Sequence, residues 1–128
     1  MKYGYIKVTP EDELTVHYTS SVLDNDDLWD QIGGFYEIVS PNMLRYTEWR
    51  DVRIICDDCG LLKDDQKVNR LASGLYGAPS PIVGTVLLVR QGYTEDGEAD
   101  IFPFSEHQLF YAEKFFSRML NELKSVKL

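Results

Sequence analysis

Only two cysteines and two histidines occur in the 128 residues. That scarcity leaves little for a structural zinc site, which takes four such ligands. Basic residues are few as well: 13 Lys plus Arg stand against 21 Asp plus Glu, a formal net charge of -8. A chain of that sign repels phosphate backbones, so direct nucleic-acid binding is not expected. No apolar run is long enough to span a bilayer. The opening Met-Lys-Tyr-Gly-Tyr-Ile lacks the apolar core of a signal peptide. A cytoplasmic location with free thiols and no membrane association is therefore expected. Glycines are too sparse at Gly33-Gly34 and at Gly74 and Gly77 for a phosphate-binding fingerprint.

What is present suits one α+β domain over residues 1–128, since 44% hydrophobic content is ample for one core. Tyr3 to Val8 and Leu14 to Tyr18 alternate and flank the turn Thr9-Pro10-Glu11-Asp12, which predicts an antiparallel hairpin. Asp24 reads as the N-cap of a short helix carrying Leu28, Trp29 and Ile32, with Gly33-Gly34 as its stop. Strands are predicted over Phe35–Val39, Val52–Cys56 and the very apolar Ile82–Val89, where Gly84 marks a bulge or a close backbone approach. Leu44–Arg50 fits either a strand or a loop. Val68–Tyr76 reads as one or two helical turns with Leu71, Ala72 and Leu75 inward, and Gly92–Asp100 as an acidic loop.

The C-terminal segment 105–124 is the most strongly specified element. Ser105 and Gln108 fit a capping box, with Phe104 and Leu109 as its hydrophobic staple. Leu109, Ala112, Phe116, Met119, Leu120 and Leu123 repeat with helical period, so this long helix should lie on a mainly antiparallel sheet. Phe110 and Phe115 fall to the side of that stripe and are candidates for a dimer or partner contact.

Cys56 and Cys59 enclose two acids in Arg53–Leu62, RIICDDCGLL. One Cys-x-x-Cys pair is half a zinc site, and the pair follows a strand instead of opening a helix. Asp57 and Asp58 would raise a neighbouring thiol pKa, which opposes redox activity. The segment is read as a hairpin turn in which Gly60 holds a positive φ. No metal, cofactor or catalytic residue is assigned. Ser105 and His107 serve better as a helix start than as nucleophile and base.

The order of Ile32-Gly33-Gly34-Phe35-Tyr36-Glu37-Ile38-Val39, the strand and turn Ile54–Leu62, Asn69-Arg70-Leu71-Ala72 and Ile82-Val83-Gly84-Thr85-Val86-Leu87-Leu88-Val89 resembles the domain-of-unknown-function family numbered 3846. That family is found in bacteriophages, plasmids and integrated elements, and the likeness covers residues 3–105. Asp57 stands where the family hairpin begins with asparagine, and the aromatic C-terminal helix is an extension. The resemblance implies a mobile-element accessory protein with no established activity, and a non-catalytic role in binding a host protein is the function expected of this chain. Under it Asn69 orients a ligand or partner, or serves as a turn or cap residue. Glu37 is a solvent-facing position or a charge partner for Arg45, Arg53 or Arg70. Two other functions suit the composition: an acidic DNA mimic that inhibits a DNA-binding enzyme, and a domain that sequesters a small ligand.

Overall fold

The computed structural model describes residues 2–63 and 65–126. Its strands are β1 (Tyr3–Val8), β2 (Leu14–Thr19), β3 (Tyr36–Val39), β4 (Val52–Asp57), β5 (Val86–Tyr93), β6 (Ala99–Phe102) and β7 (Phe104–Ser105). They form one sheet in the order β2-β1-β5-β4-β3, with every pairing antiparallel. β6 and β7 fill a fork between two central strands. β1 pairs β5 through Ile6–Val8 and then β7 through Tyr3 and Gly4, while β5 moves from β1 to β6 at Arg90–Tyr93. Pro103 sits in the fork, where a missing N–H costs no ladder bond.

Register decides which side chains share a face, because side-chain direction alternates along a strand. Ile6, Leu88 and Ile54 lie opposite one another across three strands, as do Lys7, Leu87 and Ile55. The first row belongs to the larger core, with Val8, Val52, Cys56 and Val86; the second face carries Tyr5, Ile55, Leu87 and Val89. Burial on both faces explains the continuous apolar run of the central strand.

Helix α1 (Asn25–Ile32) covers the second face with Leu28 and Ile32. The Asp24 side chain accepts from the Asp26 amide, and Gly33 closes the helix at φ +93°. Tyr5 ties α1 to the sheet by donating its hydroxyl to Asp27 at 2.8 Å. Burial and that carboxylate together push the Tyr5 pKa up. The first face is covered by α2 (Arg70–Tyr76) and α3 (Glu106–Ser125), as the sequence predicts for Leu71, Ala72 and Leu75 and for the C-terminal stripe. Both halves of the Ser105–Gln108 capping box are formed. Leu109, Ala112, Phe116 and Leu120 are buried, and Met119 and Leu123 pack half-buried beside them. The chain is a single α+β domain with its long helix on the sheet.

Three expectations need correction. The central strand begins at Val86, not Ile82, because Gly84 at φ +81° breaks the extended run. It then continues to Tyr93, and the predicted acidic loop is a hairpin whose turn closes through the Thr94 amide on the Glu98 carbonyl at 2.8 Å. Of the two readings open for segment 44–50 the loop holds: a 3-10 turn at Asn42–Leu44 leads into further turns.

The third correction concerns Gly60, which is buried in a 3-10 turn (Gly60–Leu62) and has no positive φ. Leu61 and Leu62 are exposed and form no returning strand. Glycine is required here by space, since a Cβ would stand 2.8 Å from Val83 Cγ2. Gly60→Ala should therefore lower stability by about 1–3 kcal/mol through overpacking. Val83→Ala in the same chain should restore part of the loss in a urea melt. Failure of that rescue would return the effect to backbone strain.

Candidate functional site

The residues singled out by sequence do not converge. Asn69 is buried at the start of α2, where its Oδ1 accepts from the Ala72 amide at 3.1 Å. Its Nδ2 donates to the Val8 carbonyl at 3.0 Å and the Gly84 carbonyl at 2.9 Å. Both amide hydrogens and the oxygen are thus committed inside the fold, so the cap reading replaces the ligand-orienting one. Glu37 is exposed on β3 opposite Cys56. Its expected arginine partners are engaged elsewhere: Arg70 with Asp12, Arg53 with Gln91, and Arg45 over the Tyr46 ring.

Cys56 is buried and Cys59 exposed, both as free thiols. Burial first, and Glu37 next, push the Cys56 pKa up to about 12, so it stays a thiol at any ordinary pH. Among the described residues no group of three or more His, Cys, Asp or Glu is placed to hold a metal ion. Iodoacetamide at pH 8 should modify one cysteine per native chain, Cys59, and two after denaturation, as read by intact mass. Elemental analysis should find no stoichiometric metal. Rapid double modification of the native protein would refute the buried, protonated Cys56.

The acid bunches are partly built into the fold. Asp24 caps α1, Asp27 accepts from Tyr5, Asp12 pairs with Arg70, and the buried Asp57 pairs with Lys63. Among the described residues no helix is long and apolar enough to cross a membrane.

A trough of about 750 Å³ opens between α3 and the segment that precedes β4. The helix contributes His107, Tyr111, Lys114, Phe115 and Arg118 to one wall. These recur about every turn, so from His107 to Arg118 the wall runs about 16 Å along the helix axis. Glu48, Trp49 and Asp51 form the other wall, and Val52, Arg90 and Phe104 the end near the sheet. Trp49 and Phe115 join the walls at the bottom, stacked with centroids 5.4 Å apart and planes at 27°. Phe115 is therefore half-buried, packed against Trp49 while lining the trough. Phe110 is 54% exposed just outside the trough, with Lys114 Nζ 4.5 Å from its ring centroid.

Electrostatically the trough departs from the rest of the molecule. Arg90, Lys114 and Arg118 face Glu48 and Asp51, which leaves a local excess of cations on a chain of net charge -8. None of these five charges forms an ion pair among the described residues. The indole N–H of Trp49 is buried without an acceptor among the described residues, an uncommon state for a buried donor. The lining thus offers ring faces, unpaired cations and unpaired carboxylates. Sequence reading missed most of it because Trp49 and Arg90 come from a loop and a strand end whose juxtaposition is tertiary. The available signal was Trp49 itself, a large aromatic between Glu48 and Arg50 in a segment with no periodicity.

Comparison of the chain with family models, curated proteins and solved structures returns no match.

Proposed function

We propose that the chain is a non-catalytic binding domain that works through the trough between α3 and residues 48–52. The observation that carries this reading is the trough's volume together with its unpaired charges. About 750 Å³ falls within the roughly 300–1,000 Å³ of small-molecule sites, which combine apolar walls with a few polar groups. Charges of both signs held apart across a cleft are compensated by an occupant more readily than by each other. Sequestration of a small ligand is the function this geometry supports best. The order of sequence pieces quoted above supports an accessory role in a phage or other mobile element.

Capture of a host protein is a second reading, favoured by one specific observation. Phe110 just outside the trough and Tyr111 in its wall are 54% and 51% exposed, edge to face with centroids 5.2 Å apart. Paired exposed aromatics of this kind are typical anchors of protein interfaces.

The test is amide NMR of the labelled chain during addition of a deproteinised cell extract, and separately of a soluble protein lysate. Shifts confined to residues 48–52 and 107–118 and to the Arg90 and Phe104 end of the trough are expected with the small-molecule extract. Perturbation by the lysate alone, centred on Phe110 and Tyr111, would transfer the function to protein capture. Shifts elsewhere in the molecule, or none with either, would refute the trough as the binding site.

A further inference from the structure

We infer that the occupant of the trough is a small aromatic anion, whose carboxylate or phosphate is received by Arg90. This rests on the proposed binding reading and adds the chemistry of the ligand. The Arg90 side chain is held from three sides. Its Nε donates to the Pro103 carbonyl at 3.1 Å. Its guanidinium lies 5.1 Å from the Phe102 ring centroid. Gly92 stands beneath it: a Cβ there would approach Arg90 Nη1 to 3.0 Å and Phe102 to 2.9 Å. No other hydrogen bond and no carboxylate partner takes up the Nη groups among the described residues. A guanidinium fixed through Nε with its Nη groups free is preorganised for two parallel bonds to an oxyanion.

The rest of the trough fits the same ligand. Lys114 and Arg118 on α3 add positive potential above the site. The stacked Trp49–Phe115 pair supplies a surface against which a planar ring can pack. Glu48 and Asp51 on the opposite wall offer acceptors for polar hydrogens on the far end of such a molecule and disfavour a second anionic group there. The aromatic anion is preferred over an acidic peptide because the anion receptor is a single clamped arginine at one end of the trough.

The probes are adenosine 5′-monophosphate, phenylacetate, inorganic phosphate and uncharged adenosine, followed by Trp49 fluorescence excited at the red edge of the indole band, where none of the probes absorbs, in a Trp29→Phe background. At least one of the first two should quench or shift the emission with sub-millimolar affinity, while adenosine binds at least tenfold more weakly. Which of the two binds distinguishes a phosphate from a carboxylate ligand. Arg90→Gln should weaken binding tenfold or more, and Arg90→Lys should recover only part, because it keeps the charge but loses the fork. Gly92→Ala leaves the charge untouched and should also weaken binding by displacing the guanidinium. Asp51→Asn should tighten it. Circular dichroism and thermal melts confirm that each variant is folded. Equal binding of adenosine and its monophosphate, or full affinity in Arg90→Gln, would overturn the inference. If both anions fail while the extract still perturbs the trough, the ligand class is wrong and the binding reading stands; if the extract also fails, both fall.

Discussion

Phe116→Ala should unfold the protein at a markedly lower temperature than the parent. Phe116 is fully buried on the face of α3 that meets the sheet, within the same core as Ile6, Val52 and Leu88. Its ring lies between Phe115 at 5.1 Å and Trp49 at 6.1 Å. Truncation removes the apolar transfer energy and leaves a cavity that the packed helix and sheet can close only in part. The cost should be about 3–5 kcal/mol, which for a domain of this size lowers Tm by roughly 10–20 °C. Phe115→Ala provides the contrast. Its ring is half-buried and its main partner is the Trp49 face, so about 1–2 kcal/mol is expected, with a change in Trp49 emission that Phe116→Ala need not share. Equal and small losses in both variants would mean that α3 does not bury Phe116.

The difference between those two adjacent residues also marks where sequence reasoning holds. The stripe through Leu109, Ala112, Phe116 and Leu120 is legible because a helix repeats locally, and the Ser105–Gln108 cap fixes where the repeat starts. The first hairpin and the short helix are legible for the same reason: alternation, Asp24 and Gly33 each act within a few residues. The same helical repeat sets Phe115 beside the stripe, but what covers it is not local. It is covered because a loop some sixty residues earlier in the chain brings Trp49 against it. The trough is assembled from a loop, a strand end and a helix, so no sequence window contains it. The same limit applies to Arg90, whose alternation places it on the α3 side of the sheet while its clamp depends on Gly92, Phe102 and Pro103 across a hairpin whose acidic composition suggests a loop. Gly60 fails differently. Its requirement was visible, but a glycine needed for space and a glycine needed for a left-handed backbone look identical in sequence.

Asn69→Leu should be about as damaging as Phe116→Ala, although it removes no apolar packing. Three bonds from one buried amide join parts of the chain distant in sequence: the end of β1 at Val8, the approach to β5 at Gly84, and the first turn of α2 at Ala72. Leucine is of similar size, so the site stays filled while all three bonds are lost. Loss of the cap alone costs about 1 kcal/mol. Each buried carbonyl left without a donor adds about 1–3 kcal/mol, giving a total of about 3–5 kcal/mol once partial relaxation is allowed. Asn69→Asp separates the two parts. It retains the acceptor for the Ala72 amide but turns carboxyl oxygen toward the Val8 and Gly84 carbonyls. Ionisation there is opposed by burial and by both carbonyl dipoles, so the pKa of the introduced group is raised in the folded state. A raised carboxyl pKa means that the folded chain holds a proton the unfolded chain has released. Stability relative to the parent is therefore greatest below the ordinary carboxylate range of about 4 and falls as pH rises toward the folded pKa. Urea melts at pH 4 and pH 7 should show Asn69→Asp losing much more at pH 7, while the deficit of Asn69→Leu stays nearly constant. A pH-independent deficit in Asn69→Asp, or a mild effect of Asn69→Leu, would mean that the amide does not bridge the two carbonyls and that Asn69 is free to serve a ligand after all.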